Sequence, residues 1–397
     1  MVFVASLGWS AGTLTPEEAQ RAVAEVLPQL EAIRGVKFVK PVPVAVIDDA
    51  KARAYALERF KRMTPEAKIR ADQAAYRLLG LVPADTDVLK TLLDVLEEQA
   101  GGFYDPQTKS FYLLDDMPET MTPLLAAHEM THALEDQRYD IDGRLEKLGD
   151  DDDAALALSA VAEGSATLAS AVYVAGAISS GKLDAKDAAA VDQVSTERLN
   201  AMPPVLRRQL LAPYVLGMTF LLRGHMRAIA KGFPKDDVNA AWAKPPRSSE
   251  QIIHPEKYWD ADKRDNPVRV TIQDAAPVLG KGWTRAGSGI LGELTIGSLV
   301  GAGAPDAAEL ASPEADWSNA AASGWGGDRF ELWTRGDQSV VLLSTVWDTE
   351  RDAEEFERAL PRDREAMRVL RRGKKVGVVA GAAGEHRTPL LESLVKP

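Results

Sequence analysis

The chain of 397 residues contains no cysteine. Disulfides, thiolate-bound zinc and cysteine nucleophiles are therefore excluded, and any metal must be held by His, Asp or Glu. Histidine is scarce, at five residues, and aromatic side chains make up 6% of the chain. No long basic run is present either. With 59 acidic residues against 47 basic ones the net charge is −12, a balance that argues against nucleic acid as a partner. The lack of thiols leaves the compartment open, because such a chain suits either redox setting.

What is present is 45% hydrophobic, enough for a substantial core in two or three domains, or in one large one with a satellite. The start, MVFVASLGWSAG, is apolar, but no Lys or Arg precedes the run and it is short for a complete signal peptide. Residues 1–12 read either as a packed or disordered start or as the tail of an export signal. The corresponding locations are cytoplasmic or exported.

Apolar spacing predicts a helix over Thr15–Ile33, and VKFVKPVPVAVI (36–47) reads as an extended, proline-bearing edge strand. Helices follow at 48–63 and 88–98. Phe103-Tyr104 and Phe111–Leu114 read as two strands joined by a turn at Asp105–Thr108. Thr122-Pro123 has the form of a helix start, with Thr122 as N-cap. Residues 139–153 read as a polar loop around Asp142-Gly143. A long helix is expected over 154–178 and another over 203–231. Residues 244–259 read as a proline-punctuated segment with one short helix and a Ser248/Gln251 capping box. Beyond about residue 265 glycine rises. Short strands are expected at 268–272, 329–334, 339–345 and 375–379, with a hairpin at Arg335-Gly336-Asp337 and a helix over 349–360 capped by Thr349. The glycine-rich stretch 320–330 reads as a turn before a strand.

Two of the five histidines sit in LLAAHEMTHAL, four residues apart. On a helix that spacing puts His128 and His132 on one face, where their imidazoles can meet at one point. Glu129, rotated by about 100° from His128, is placed to reach a water there instead of ligating. This is the H-E-x-x-H arrangement of zinc peptidases, with the glutamate as general base. The flanks, rich in Leu and Ala, mark a buried helix, so a helix with two merely exposed histidines is the weaker reading.

A catalytic zinc takes a third protein ligand. Glu163 is the one charged residue in AALALSAVAEGSATLASAVYVAGAI, and a lone carboxylate in an apolar helix is costly unless paired or metal-bound. It is the candidate third ligand, and Gly164 and the alanines would let its helix approach the histidine helix closely. A core glutamate paired with an arginine remains an alternative. A membrane span is disfavoured, because Ala, Ser and Gly are weakly hydrophobic and the acid is central; no transmembrane segment is expected.

His128-Glu129-Met130-Thr131-His132 followed by Glu163-Gly164 resembles the gluzincin group of zinc metallopeptidases, the thermolysin-like clan, over roughly residues 100–180. The resemblance implies one zinc ion on His128, His132 and Glu163, with Glu129 as base. It also implies that the strand Phe111, Tyr112, Leu113 and Leu114 pairs with an extended peptide substrate. The sequence departs from the thermolysin pattern in its longer gap from His132 to Glu163. It departs again at Thr167, where that pattern has an aspartate supporting a ligating histidine. Asp136 is a substitute for that aspartate, or an ordinary aspartate near the helix end. An oxyanion donor besides the metal is needed. His254 and Tyr258 are the candidates, with Tyr214 and His225 behind them, unless IIHPEKYW is only a packing loop.

The expected architecture is α+β: a mainly helical zincin-like catalytic domain with a small sheet, followed by a smaller α+β domain. Residues 1–99 form an N-terminal region of the peptidase unit, 100–262 the catalytic core and 263–397 an accessory domain. The expected function is zinc-dependent hydrolysis of peptide bonds. The rivals are a non-catalytic protein, with zinc stapling two helices or a degenerate peptidase site holding peptides, and a zinc hydrolase of non-peptide amides or esters.

Overall fold

The structure, a computed structural model, describes residues 13–99, 101–184, 196–301, 305–312, 315–361 and 367–396. The candidate export segment, 1–12, lies outside the described residues. The fold is α+β, with many helices and two separate sheets.

Helix α1, Pro16–Arg34, starts at a capping box in which Thr15 accepts from Glu18 N and Glu18 accepts from Thr15 N at 2.8 Å. It ends at Gly35, whose left-handed φ of 69° suits glycine. Of the extended segment expected after it, only Val44–Ile47 forms a strand, β1. Pro41 and Pro43 supply no N–H to a ladder, so pairing starts where the Pro43 carbonyl accepts Phe111 N. Helices α2 (Asp49–Met63), α3 (Glu66–Leu79) and α4 (Val88–Gln99) precede strands β2 (Gly102–Asp105) and β3 (Ser110–Leu114). The first sheet has the order β1-β3-β2, with β1 parallel and β2 antiparallel to β3.

Helix α5, Thr122–Tyr139, begins one residue earlier than expected, because the Thr122 hydroxyl donates back to the Pro118 carbonyl and does not cap. The expected loop 139–153 contains helix α6, Ile141–Leu148, which turns Ile141, Leu145 and Leu148 inward at helical spacing. Helix α7, Asp152–Ser179, is long and apolar enough to cross a membrane by length and composition. Most of its alanines, with Leu158, Val161 and Leu168, are instead buried in the core, against α1, α5 and helix α8, Pro204–Leu221.

Helices α9 (Lys235–Ala243) and α10 (Ser249–Ile253) follow. Ser248 caps α10 by accepting from Gln251 N, but the Gln251 side chain accepts from Arg247 N, so the box is only half formed. A further one-turn helix, Glu256–Trp259, adds a second to the one short helix expected over 244–259.

The second sheet is antiparallel, with strands β4 (Thr284–Gly289), β5 (Trp325–Arg335), β6 (Gln338–Trp347), β7 (Met367–Arg372) and β8 (Lys375–Gly381) in the order β4-β5-β6-β8-β7. The β5–β6 hairpin turns at Gly336-Asp337, with Gly336 at φ 55°. The expected strand at 268–272 does not form; Val268 N donates to Gly326 O, but no ladder follows. Helices α11 (Gly292–Leu299), α12 (Glu350–Ala359) and α13 (Arg387–Leu394) complete the labelled elements. Helix α3 lies on this second sheet, with Ala71 against Gly287 and Leu78 against Gly381. One core of buried side chains therefore runs from α7 and α8 through α3 to β5, β6 and β8.

Four consecutive aspartates rivet the start of α7 to its surroundings. Asp150 accepts from Arg329 and from Ser288 Oγ at 2.7 Å. Asp151 caps α7 through Ala154 N at 3.0 Å. Asp152 pairs with Lys68 at 2.9 Å, and both oxygens of Asp153 accept Ser249 N at 3.1 Å.

Candidate metal centre

Helix α5 is buried on nearly every face from Thr122 to Asp136, which is why its apolar residues show no single stripe. His128 and His132 are 2% and 8% exposed. Their rings meet edge to face with centroids 4.7 Å apart. His128 Nε2 and His132 Nε2 are 3.0 Å apart, and Glu163 Oε2 of α7 lies 3.1 Å from the first and 3.2 Å from the second. Donors about 2.0–2.1 Å from a tetrahedral zinc stand about 3.3–3.4 Å apart, so the three fit one face of such a site closely. Two imidazoles and one carboxylate, with a fourth direction left for water or substrate, are a donor set zinc accepts. Burial pushes the His128 imidazole down to about 4, which keeps it neutral, as a ligand must be.

Glu129, 1% exposed, lies between the two histidines' side of the helix, whose charges it feels, and the first sheet. Its Oε2 accepts the backbone N–H of Tyr104 at 2.8 Å. The Tyr104 ring returns to the same helix, where its hydroxyl donates to Asp136 at 2.8 Å. Asp136 also accepts from Lys109 at 2.7 Å and from Ile141 N at 3.1 Å. Its contacts thus hold β2 and α6 onto α5, and none of these hydrogen bonds goes to an imidazole. The expectation that Asp136 supports a ligating histidine is corrected to that extent. Thr167, at the position where the thermolysin pattern has a supporting aspartate, makes no hydrogen bond through its buried hydroxyl.

The arginine-paired core glutamate weighed for Glu163 exists, but it is Glu135. Glu135 Oε1 is 2.9 Å from Arg34 Nε, with both side chains fully buried, and it accepts a hydrogen bond from Ser165. The pair ties α1, α5 and α7 together within three residues of His132 and two of Glu163. The sequence held only a weak signal for it: Glu135 opens the polar run EDQRYD at the end of an apolar stretch, and Arg34 closes an apolar helix face.

The expected substrate strand is corrected. Phe111–Leu114 lies in the middle of its sheet, with β1 on one side and β2 on the other, so both of its edges are taken. The strand beside α5 that has an outer side is β2. On that side Tyr104 N–H meets Glu129 and the Tyr104 carbonyl accepts from Arg59 of α2 at 3.2 Å.

The oxyanion candidates are also corrected. His254 pairs with Glu293 of α11 at 2.9 Å, and Ser318 donates to the same carboxylate. The Tyr258 hydroxyl donates to the Lys244 carbonyl, and its ring packs on Phe220 and Trp259. His225 is exposed at the start of a 3₁₀ turn. Tyr214 of α8 is the tyrosine that the fold brings to the centre. It hydrogen-bonds the Glu163 carboxylate, and its ring lies over His128 with centroids 6.2 Å apart. Burial and the charges of Glu163 and Glu129 push its phenol well above the ordinary value.

The helices carrying these two groups touch through backbone. A methyl placed on Gly164 would sit 2.3 Å from the Gly217 carbonyl carbon, and one on Gly217 would sit 2.1 Å from the Ala160 oxygen. Gly164 therefore serves the approach of α8, and the expectation that it serves the histidine helix is corrected.

Comparison with known proteins adds little to this geometry. A family described as "Domain of unknown function (DUF8575)" matches residues 279–388, within the second sheet region. No curated protein matches the chain. A crystal structure from Chloroflexus aurantiacus, described as a candidate hydrolase with a novel fold, is similar to this chain at 18% identity and a TM-score of 0.43. The similarity covers 64% of this chain and 94% of that one.

Proposed function

We propose that this chain is a zinc-dependent peptidase that hydrolyses peptide bonds with Glu129 as general base. The observation that supports this most is the triangle of His128 Nε2, His132 Nε2 and Glu163 Oε2, with sides of 3.0–3.2 Å, on the helix that also carries Glu129. A structural staple has no use for the fourth member of that group.

His128, His132 and Glu163 would hold the ion. When bound there, zinc lowers the pKa of water and polarises a carbonyl. The protein's own groups do the rest. Glu129, fixed by the Tyr104 N–H, takes the proton from the attacking water and delivers it to the leaving amine. The Tyr214 hydroxyl, beside Glu163, has one hydrogen to give and would turn it from that carboxylate to the developing oxyanion.

Elemental analysis for zinc, with casein cleavage in parallel, tests the reading. Wild type should carry one zinc and cleave. Glu129→Gln should keep the metal and lose about 10²–10⁴-fold in kcat. Glu163→Ala should lose the metal. A wild-type protein without stoichiometric metal would end the proposal.

A further inference from the structure

We infer that the Gly164–Gly217 crossing is a positioning contact for the metal centre: it seats the Tyr214 hydroxyl on the Glu163 carboxylate and so orients the third ligand from helix α8. The inference rests on the zinc reading proposed above.

The argument is geometric. Glu163 and Gly164 are neighbours on α7, and Tyr214 and Gly217 lie on adjacent turns of α8, three residues apart. Side chains at that spacing share a helix face. The crossing and the Tyr214–Glu163 hydrogen bond are therefore one contact seen at two points. The atoms a methyl at either glycine would meet are backbone atoms, at 2.1–2.3 Å, and no side-chain rotation can relieve them. Ordinary carbon contacts begin near 3.5 Å, so one methyl must drive the helices apart by about 1 Å.

Helix α7 is held by α5 and by the Ser165–Glu135 hydrogen bond, so α8 is the partner that yields. A hydrogen bond does not survive an added ångström. A ligating carboxylate that loses one of its donors is held less firmly, and outer-shell losses of this kind cost about 10–100-fold in metal affinity. Thr167, which supports neither histidine, leaves the centre without the brace used in the thermolysin pattern. Tyr214 braces a different ligand from a different helix.

The test uses the full chain as wild type, Tyr214→Phe, Gly217→Ala and the double variant. Zinc affinity is read by competition with a chelator on protein shown to be folded. Leu211→Ala, a core truncation on the same helix, serves as the control that lowers Tm without touching the centre. Expected are a loss of about 10–100-fold in zinc affinity for each single variant and no further loss in the double. Wild-type affinity in Tyr214→Phe overturns the inference, even where Gly217→Ala does not fold. Full additivity in the double variant overturns it as well, because the two residues would then act separately. If wild type itself binds no zinc, the proposed function fails and takes this inference with it. If wild type binds zinc and cleaves while both singles bind as tightly, the function stands and only the positioning role falls.

Discussion

The backbone N–H of Tyr104 donates to the carboxylate of Glu129 across 2.8 Å, so the general base proposed for this chain is held by the edge of a sheet. The same tyrosine reaches back with its hydroxyl to Asp136, two turns further along α5. Asp136 therefore belongs to the grip on β2. Asp136→Asn should leave zinc affinity within about three-fold of wild type, because outer-shell partners of a ligand show themselves by losses of about ten-fold or more. Chelator competition measures it; a ten-fold loss would return Asp136 to the support of His132.

Arg34 and Glu135 form an ion pair with both side chains out of solvent. Removing one partner leaves a buried charge uncompensated, at about 3–5 kcal/mol. Arg34→Ala should lower stability by about that amount in denaturant unfolding, whereas Arg34→Met combined with Glu135→Leu should recover much of it. A loss in the double variant equal to the sum of the two single losses would show that the pair is not coupled.

His254 gives a pH signature far from the centre. Burial alone would lower its imidazole, but the Glu293 carboxylate outweighs that and raises it above the ordinary value; Lys257 opposes and Glu256 assists. A histidine raised in the folded state stabilises most below its unfolded value near 6.5, and loses that contribution as pH rises through the folded value. The Tm gap between wild type and His254→Ala should therefore be wider at about pH 5.5 than at about pH 9. kcat/KM for His254→Ala should stay within a few-fold of wild type. A pH-independent gap would deny the ion pair, and a hundred-fold loss of activity would restore His254 to the reaction.

Metal removal should be felt as stability. An ion bound only by the folded chain stabilises it by mass action, by about 4 kcal/mol at a thousand-fold excess over Kd. Chelation should lower Tm and zinc should restore it in wild type. In Glu163→Ala neither treatment should move Tm; a full zinc response there would remove Glu163 from the ligand set.

The parts of the fold governed by local pattern were open to reading from the sequence. The capping box at Thr15, the i,i+4 histidines, the hairpin at Gly336 and the lone Glu163 each carry their reason within a few residues. Helix α6 was hidden because Asp142-Gly143 signals a turn, and the spacing of Ile141, Leu145 and Leu148 is weaker than that signal. The position of β3 inside its sheet depends on β1, which comes from more than sixty residues away; no local pattern announces a parallel partner. Tyr214 was outweighed by His254 and Tyr258 because a histidine and tyrosine close in sequence look like a site. The fold turns one toward Glu293 and the other toward Lys244. The glycine that seats Tyr214 reads as a weak point in a helix until its neighbour across the crossing is known.

The aspartates 150–153 give the helix of Glu163 a fixed footing. Ser288, Arg329, Lys68 and Ser249, which hold that footing, come from the second sheet, from α3 and from the start of α10. A fragment cut at residue 262 would keep His128, Glu129, His132 and Glu163 and still lose the two partners of Asp150. Four carboxylates would then crowd one helix start with half of their counterweights gone, and the rod that carries the proposed third ligand would be free to rock at its base. Two described residues beyond 262, Ser288 and Arg329, thus grip the foot of the helix whose middle holds Glu163.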